Sequence, residues 1–423
     1  MVTWPGESGR FSMLIGIDDT DSPAGMCTTY LGAVFAGRLR EEGYSVDSMT
    51  LARLNPNARY KTRGNAAVCI ETDAGERGFD LACSLVDGLA DLSCERTNPG
   101  VAMAESPLPS WFYKKAVTDF LMIDEAVEFL DENGAVYRGW KNGRGLIGAA
   151  AALSASFDDF TFELLAYRHH EEKGERIVDR GSIFLAEEKT YPHTWDSVDF
   201  ENDVVVCVPH TPDPVLYGIR GESPEWVKKA VSYIKSEEPF ITALYRTNQG
   251  TDAHLLDARI ADIKEDRSYR IRGTVSSSPL TGEGGHVSFL LSDEPGISVR
   301  CMAYEPTKGF RDVVRKLIPG DVVTVCGSFK GGSINLEKIE VISLAEKTVA
   351  KPPFCSCGKR MTSAGTGKGY KCRRCGEKSG EAEIVHIERE LSPGWYEVPP
   401  VARRHLSKPL VRDGLLVQET ENL

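Results

Sequence analysis

An apolar run, Met13 to Ile17, opens directly onto Asp18-Asp19-Thr20-Asp21-Ser22, and a loop containing Gly25 then leads to Thr28-Thr29 and a helical pattern. Three carboxylates within four residues repel one another unless a cation neutralises them. At a strand's end, before a helix N-terminus, such hard oxygen ligands suit Mg2+ carrying nucleotide phosphates. Single aspartates serve Asx turns and caps in the same place, but all three together favour the metal. Further on, Lys61-Thr62-Arg63-Gly64-Asn65 precedes a strand at Ala66 to Glu71. Its basic groups beside Gly and Asn make a compact phosphate grip, although a surface turn has the same composition. The run Gly139 to Gly148 is a glycine-rich loop opening a helix of four alanines and a leucine. There Lys141 and Arg144 supply charge, and backbone amides around Gly143 and Gly145 can approach phosphate oxygens. It is not a Walker A sequence, and tight helix-on-sheet packing asks for the same glycines.

Arg246 to Asp252 is a polar run with the composition of an interdomain linker. Thr247, Asn248, Gln249 and Asp252 can also offer hydroxyl, amide and carboxylate groups to a base edge or small polar ligand at a junction. Of the eleven cysteines, seven are scattered singly, as expected of reduced thiols. The other four form Cys355-Ser356-Cys357 and, after 14 residues, Cys372-Arg373-Arg374-Cys375, each pair followed by glycine. Two such knuckles make a tetrahedral thiolate site for structural Zn2+. The first pair is one residue shorter than the usual knuckle, so Cys355 is the ligand most in question.

These groups need elements to hold them. At 423 residues the chain calls for three or four cores. Between Asp257 and Leu344 five β-rich segments follow one another (268–276, 287–292, 298–304, 322–330 and 334–342), with a helix at 309–317 between the third and fourth. That is the order of an OB barrel, which commonly binds oligonucleotides. From Phe162 to Thr247, strands at 162–167, 204–208, 215–220 and 241–246 with a helix at 224–234 fit a ferredoxin-type sandwich. Net charge is −12, yet Lys351 to Lys378 carries eight Lys or Arg and one acid: a basic patch for a polyanion on an acidic body. No apolar stretch reaches the roughly 20 residues needed to cross a bilayer, and no signal peptide is expected, which points to the cytoplasm.

In this order the motifs resemble one family, the archaeal tRNA-isoleucine 2-agmatinylcytidine synthetases. Its carriers are Gly16 to Asp21, Gly25 to Tyr30, Lys61 to Asn65, Gly143 to Ala149 and Arg246 to Asp252, then barrel and zinc ribbon. The resemblance implies a multidomain α+β protein: an N-terminal extension (1–12), a kinase-like α/β catalytic domain (13–135), a ferredoxin-like domain (136–253), an OB-fold β-barrel (254–345), and a C-terminal zinc ribbon and tail (346–423). It implies an ATP-dependent ligase that joins agmatine to C2 of the first anticodon cytidine of isoleucine tRNA with a CAU anticodon, so that AUA is read. Asp18, Asp19 and Asp21 would hold the magnesium nucleotide, and Thr28 would be a self-phosphorylated threonine. Two other readings of the residues stay open: a nonenzymatic single-strand-binding protein, and a kinase or ligase using another amine.

Overall fold

The computed structural model describes residues 12–61 and 64–414. The expected N-terminal extension, apart from Ser12, and Arg63 of the phosphate grip lie outside the described residues. The first half runs β1 (Met13–Asp18), α1 (Thr28–Glu41), β2 (Ser48–Arg53), β3 (Ala66–Thr72), α2 (Gly75–Leu89), β4 (Gly100–Ala104), α3 (Trp111–Thr118), α4 (Ile123–Glu132), β5 (Val136–Gly139) and α5 (Gly145–Leu153). Then follow β6 (Thr161–Tyr167), α6 (Arg180–Thr190), β7 (Thr194–Trp195), β8 (Val198–Asp199), β9 (Val204–Val205), β10 (Val215–Gly221), α7 (Pro224–Val231) and β11 (Ile241–Thr247).

Nine of these strands form one continuous sheet, ordered β5-β4-β1-β3-β2-β11-β6-β10-β7. Alternating side chains of the first strands feed two cores. Ile15, Ile17, Leu51 and Val68 meet α1 and α2 on one face, while Ala67, Cys69 and Ala102 meet α3, α4 and α5 on the other. The two halves join at β2 and β11, where Arg246 pairs with Thr50 and Thr247 with Leu51 in parallel register. Tyr245 Oη reinforces this seam by donating to the Thr29 carbonyl at 2.6 Å. The strand expected at 204–208 is shorter: only Val204–Val205 pairs, with Val198–Asp199, outside the main sheet. Across the boundary expected at residue 136 the packing is continuous: β5 pairs with β4, and α5 buries Ala149, Ala150 and Ala151 in the core beneath β3 and β4.

The second half comprises β12 (Leu255–Asp257), β13 (Arg267–Val275), β14 (Leu280–Thr281), β15 (Val287–Glu294), β16 (Ile297–Ala303), α8 (Phe310–Arg315), β17 (Val322–Lys330) and β18 (Ser333–Ser343). Strands β13, β17, β18, β16 and β15 close on one another through the β13–β15 pairing, which makes a five-stranded barrel with α8 between its third and fourth strands. The five segments and the helix expected for an OB barrel lie within about two residues of these elements. A hairpin, β19 (Lys347–Lys351) with β23 (Glu383–Ile387), carries three short strands, β20 (Thr362–Ser363), β21 (Tyr370–Lys371) and β22 (Lys378–Ser379). The chain returns through β24 (Gly394–Glu397), which adds to β18. The tail then threads between barrel and sheet, where Leu406 enters the helical core and Asp252 N donates to its carbonyl at 2.8 Å. Among the described residues no helix is long and apolar enough to cross a membrane.

Candidate active site

A cavity of about 610 Å3 opens where β1 ends. Asp18, Asp19, Asp21 and Thr28 form one wall, Lys61, Gly64 and Asn65 of the β2–β3 loop a second, and Arg144 and Gly148 a third. Sequence-distant motifs thus meet because α5 lies hard against β1 and β4. A Cβ at Gly16 would stand 2.5 Å from the Ala149 carbonyl oxygen, and one at Gly100 or Gly145 would strike the other's backbone. Gly148 faces Asp18 so closely that a methyl group there would overlap its carboxylate. The glycine-rich segment therefore serves close packing and seats the first aspartate.

Burial, with the charges of Asp19 and Asp21, pushes the Asp18 carboxyl well above its ordinary range. Asp19, held at a left-handed φ of 58°, is raised to about 6 by burial, although Arg144 opposes the shift through two bonds from Nε and Nη2 to Oδ2 at 3.0 and 2.7 Å. Asp21 Oδ1 accepts from the Thr28 backbone N–H at 2.7 Å and from its hydroxyl at 3.1 Å. Because Thr20 Oγ1 donates to Thr28 Oγ1 at 3.1 Å, the Thr28 proton points at Asp21 and an oxygen lone pair is occupied by Thr20. Among the described residues, only the four cysteines bring three or more metal-ligand atoms within 4.8 Å. The aspartates share a cavity without converging on one preformed point. Such spacing suits a cation that takes one or two carboxylates and fills its shell with phosphate oxygens.

The other sequence candidates separate into those lining the cavity and those supporting it. Lys61 lines it and donates to the Pro56 carbonyl; burial, then the charges of Arg404, Lys330 and Arg53, lower its ammonium to about 8. Asn65 Nδ2 donates to the Asn55 carbonyl at 3.1 Å, fixing the loop. Lys141 is spent on carbonyls of Cys94 and Thr97, and Gly143 turns the chain at a φ of 75°. Thr247, Asn248 and Gln249 are buried, and none of them lines this cavity. Asn248 clamps β2, accepting from Arg53 N at 2.7 Å and donating to Arg53 O at 2.9 Å, while Gln249 donates to Glu163. Asp252 takes Lys338 Nζ at 2.6 Å and Lys408 N at 2.7 Å. Their positions are those of a domain joint, and their polar groups are engaged in internal bonds.

A second cavity, of about 490 Å3, shares Asp21, Thr28 and Gly64 with the first and adds Glu163, Asp196 and Asp213. Glu163, buried on β6, meets Arg220 Nε at 3.3 Å and Arg53 at 3.6 Å. His405 of the tail completes the wall. Sequence reading missed these groups because each is a lone polar residue on a strand, in a loop or in the tail. The sole local signal is the triplet Arg403-Arg404-His405.

In the hairpin module, Cys355 and Cys375 sulfurs lie 3.1 Å apart and Cys357 and Cys372 sulfurs 3.6 Å. Four thiolates around one Zn2+ at ~2.3 Å stand roughly 3.7 Å from one another, so the set fits zinc, and the short first knuckle brings Cys355 to it as well. Backbone N–H groups of Cys375 and Arg374 draw the Cys372 thiol down to about 6, which favours the ligating thiolate.

Carboxylates and cations around one cavity, joined to an oligonucleotide-binding barrel and a basic zinc module, define an enzyme that modifies a nucleic acid. Three family models match: one described as the TiaS TCKD domain over residues 14–79, the TiaS FLD domain over 143–254 and the TiaS C-terminal zinc ribbon domain over 352–391. The tRNA-isoleucine 2-agmatinylcytidine synthetase TiaS of Methanocorpusculum labreanum is 50% identical over 404 residues, 95% of this chain and 97% of its own. A crystal structure of TiaS in complex with its isoleucine tRNA and ATP superposes with a TM-score of 0.89 at 47% identity, and one of TiaS with that tRNA, AMPCPP and agmatine with 0.86 at 44%; each match covers 95% of this chain and 97% of the other. The chain belongs to the tRNA-isoleucine 2-agmatinylcytidine synthetase family.

Proposed function

We propose that this chain uses ATP to join agmatine to the first anticodon cytidine of the isoleucine tRNA with a CAU anticodon, with the nucleotide and the reacting base in the first cavity and agmatine in the second. Family membership carries the reaction, and the pair of cavities that share Asp21 and Thr28 carries the assignment of parts. The C2 oxygen of cytosine is a poor leaving group. Transfer of a phosphoryl group from ATP to that oxygen makes it a leaving group; the amine nitrogen then bonds to C2, the C–O bond breaks and phosphate departs. The product reads AUA, and an enzyme with a tRNA substrate works in the cytoplasm.

Mg2+ fits the residues present: Asp18, with Asp19 or Asp21, would hold it, and it would neutralise the phosphate chain. Lys61, Asn65 and Arg144 are placed to meet that chain, while Gly143, Gly145 and Lys141 shape the loop behind it. Thr28 projects its oxygen between the cavities with Asp21 ready to accept its proton, the geometry of a phosphoryl acceptor. Glu163, Asp196 and Asp213 give the second cavity the carboxylates that a guanidinium or ammonium group seeks. We place the catalytic unit first, then a ferredoxin-like unit whose α5 packs into the catalytic core, then the barrel and the ribbon with its tail.

Replacing Asp213 by Asn tests the division of the two cavities. KM for agmatine should rise about tenfold while KM for ATP stays unchanged. An equal rise in both would place agmatine elsewhere.

A further inference from the structure

We propose that a third, basic cavity behind the Lys61 loop is a phosphate subsite completed by the barrel and the C-terminal tail. The cavity measures about 270 Å3 and shares Lys61, Gly64 and Asn65 with the nucleotide cavity. Arg53 comes from β2, Lys330 from the end of β17, and Arg404 and His405 from the tail, so three parts of the chain meet there. Among the described residues no carboxylate lines it.

Arg404 is paired outside the recess with Glu337 at 3.7 Å, but within it like charges stand together with no carboxylate among them, and an entering anion would offset their repulsion. Burial first, then the charges of Arg404, Lys330 and Arg53, lower the Lys61 ammonium to about 8. The two arginines are held in place rather than free to swing away. Arg404 Nη1 is fixed by Asn57 Oδ1 at 3.0 Å and Ser328 Oγ at 2.6 Å, and Asn57 in turn donates to Ser268 Oγ at 3.2 Å. Arg53 is committed on its far side to Glu163 at 3.6 Å.

His405 sharpens the chemistry. Arg220 Nη2 lies 2.7 Å from its Nδ1, and because a guanidinium can only donate, Nδ1 accepts and the ring proton resides on Nε2. The Arg53 charge, with the charges of Arg220 and Lys61, holds the pKa of this imidazole below the usual histidine value. Nε2, near Gly64, is therefore an N–H donor. A Cβ at Gly64 would stand 3.4 Å from it and 2.6 Å from Arg53 Nη1, so glycine there keeps the opening clear. Cationic side chains and one neutral N–H around a recess beside the nucleotide cavity are what a phosphate group requires. Two sources offer one: the phosphate chain of the nucleotide and a phosphodiester of the bound RNA.

The inference rests on the placement of nucleotide and RNA proposed above, and Lys330→Gln tests it in the full-length protein. Lys330 ends its strand at the surface, so the substitution spares the core. Calorimetric titration with inorganic pyrophosphate should show binding to the parent protein and about tenfold weaker binding to Lys330→Gln, with recovery in Lys330→Arg. A raised KM for ATP at unchanged tRNA affinity would name the nucleotide as the source. Weaker tRNA binding, with a salt dependence shallower by about one counterion and an unchanged KM for ATP, would name the RNA. If Lys330→Gln matches the parent in pyrophosphate, ATP and tRNA binding while the parent still modifies tRNA, the subsite is refuted. A parent protein that binds pyrophosphate in a Lys330-dependent way without modifying tRNA would instead refute the functional reading and leave the subsite standing.

Discussion

Gly148 shows how a residue without a side chain can set the chemistry. Its missing methyl is the space into which the Asp18 carboxylate fits. Gly148→Ala should therefore cost activity more than stability. The clash falls on one side chain, the Asp18 carboxylate and its Cβ, so unfolding should change by roughly 1–3 kcal/mol, the usual cost of overpacking, whereas kcat/KM should drop at least about a hundredfold. Thermal unfolding and steady-state kinetics on the same variant check both numbers. The aspartates stand out in the sequence because clustered carboxylates have no cheap structural use, whereas Thr28 is singled out only by the family resemblance. For Thr247, Asn248, Gln249 and Asp252 the sequence is ambiguous for the converse reason: polar side chains bonded inside a joint look the same as side chains awaiting a ligand. Asn248, spent on both polar groups of the Arg53 backbone, is the clearest case.

Among the elements, barrel and ribbon were the most legible. Five β-rich segments with a helix between the third and fourth leave few other folds, and paired cysteines leave few other metals. The extent of the sheet was not legible, because the parallel β2–β11 seam pairs residues some 200 positions apart with no local signal. The ribbon's role can be separated from the chemistry. Chelating its zinc, or replacing Cys372 by Ser, should unfold a segment too small to hold itself. Affinity for tRNA should then weaken by at least about tenfold while ATP binding by the nine-stranded unit persists. Filter binding of labelled tRNA and titration with ATP before and after chelation read the two effects separately.

For the molecule as a whole, the tail is the clasp. Arg403 pairs with Asp196 and Glu397, Arg412 with Asp159 and Glu222, and Lys408 with Asp159 and Asp413, so the last described segment ties barrel to sheet. Beneath it, the wholly buried pair His254–Glu337 meets at 3.0 Å. Burial alone would raise the Glu337 carboxyl, but the charge and hydrogen bond of His254, with Arg404 and Lys338, hold it at about 2. A carboxyl whose folded value lies below its unfolded one stabilises the fold above the unfolded pKa of about 4.3, and that contribution is lost as pH falls toward 2. Compared with Glu337→Gln, the parent should therefore lose stability more steeply between about pH 4.5 and 2, by on the order of 3 kcal/mol in total. Melting curves of both proteins across that range test the sign. The clasp was not legible, since a basic triplet after a zinc module has the look of one more RNA-binding patch.

The central claim is that the carboxylate-lined cavity serves an agmatine-joining reaction on tRNA. The most direct measurement is the mass of the nucleosides released from isoleucine tRNA with a CAU anticodon after incubation with the purified protein, ATP, Mg2+ and agmatine. The account requires one agmatine joined per tRNA, with loss of the C2 oxygen, at the first anticodon cytidine. It also requires no such product without ATP or with Asp18→Asn. An unmodified cytidine in the complete reaction, or full product from Asp18→Asn, would contradict it.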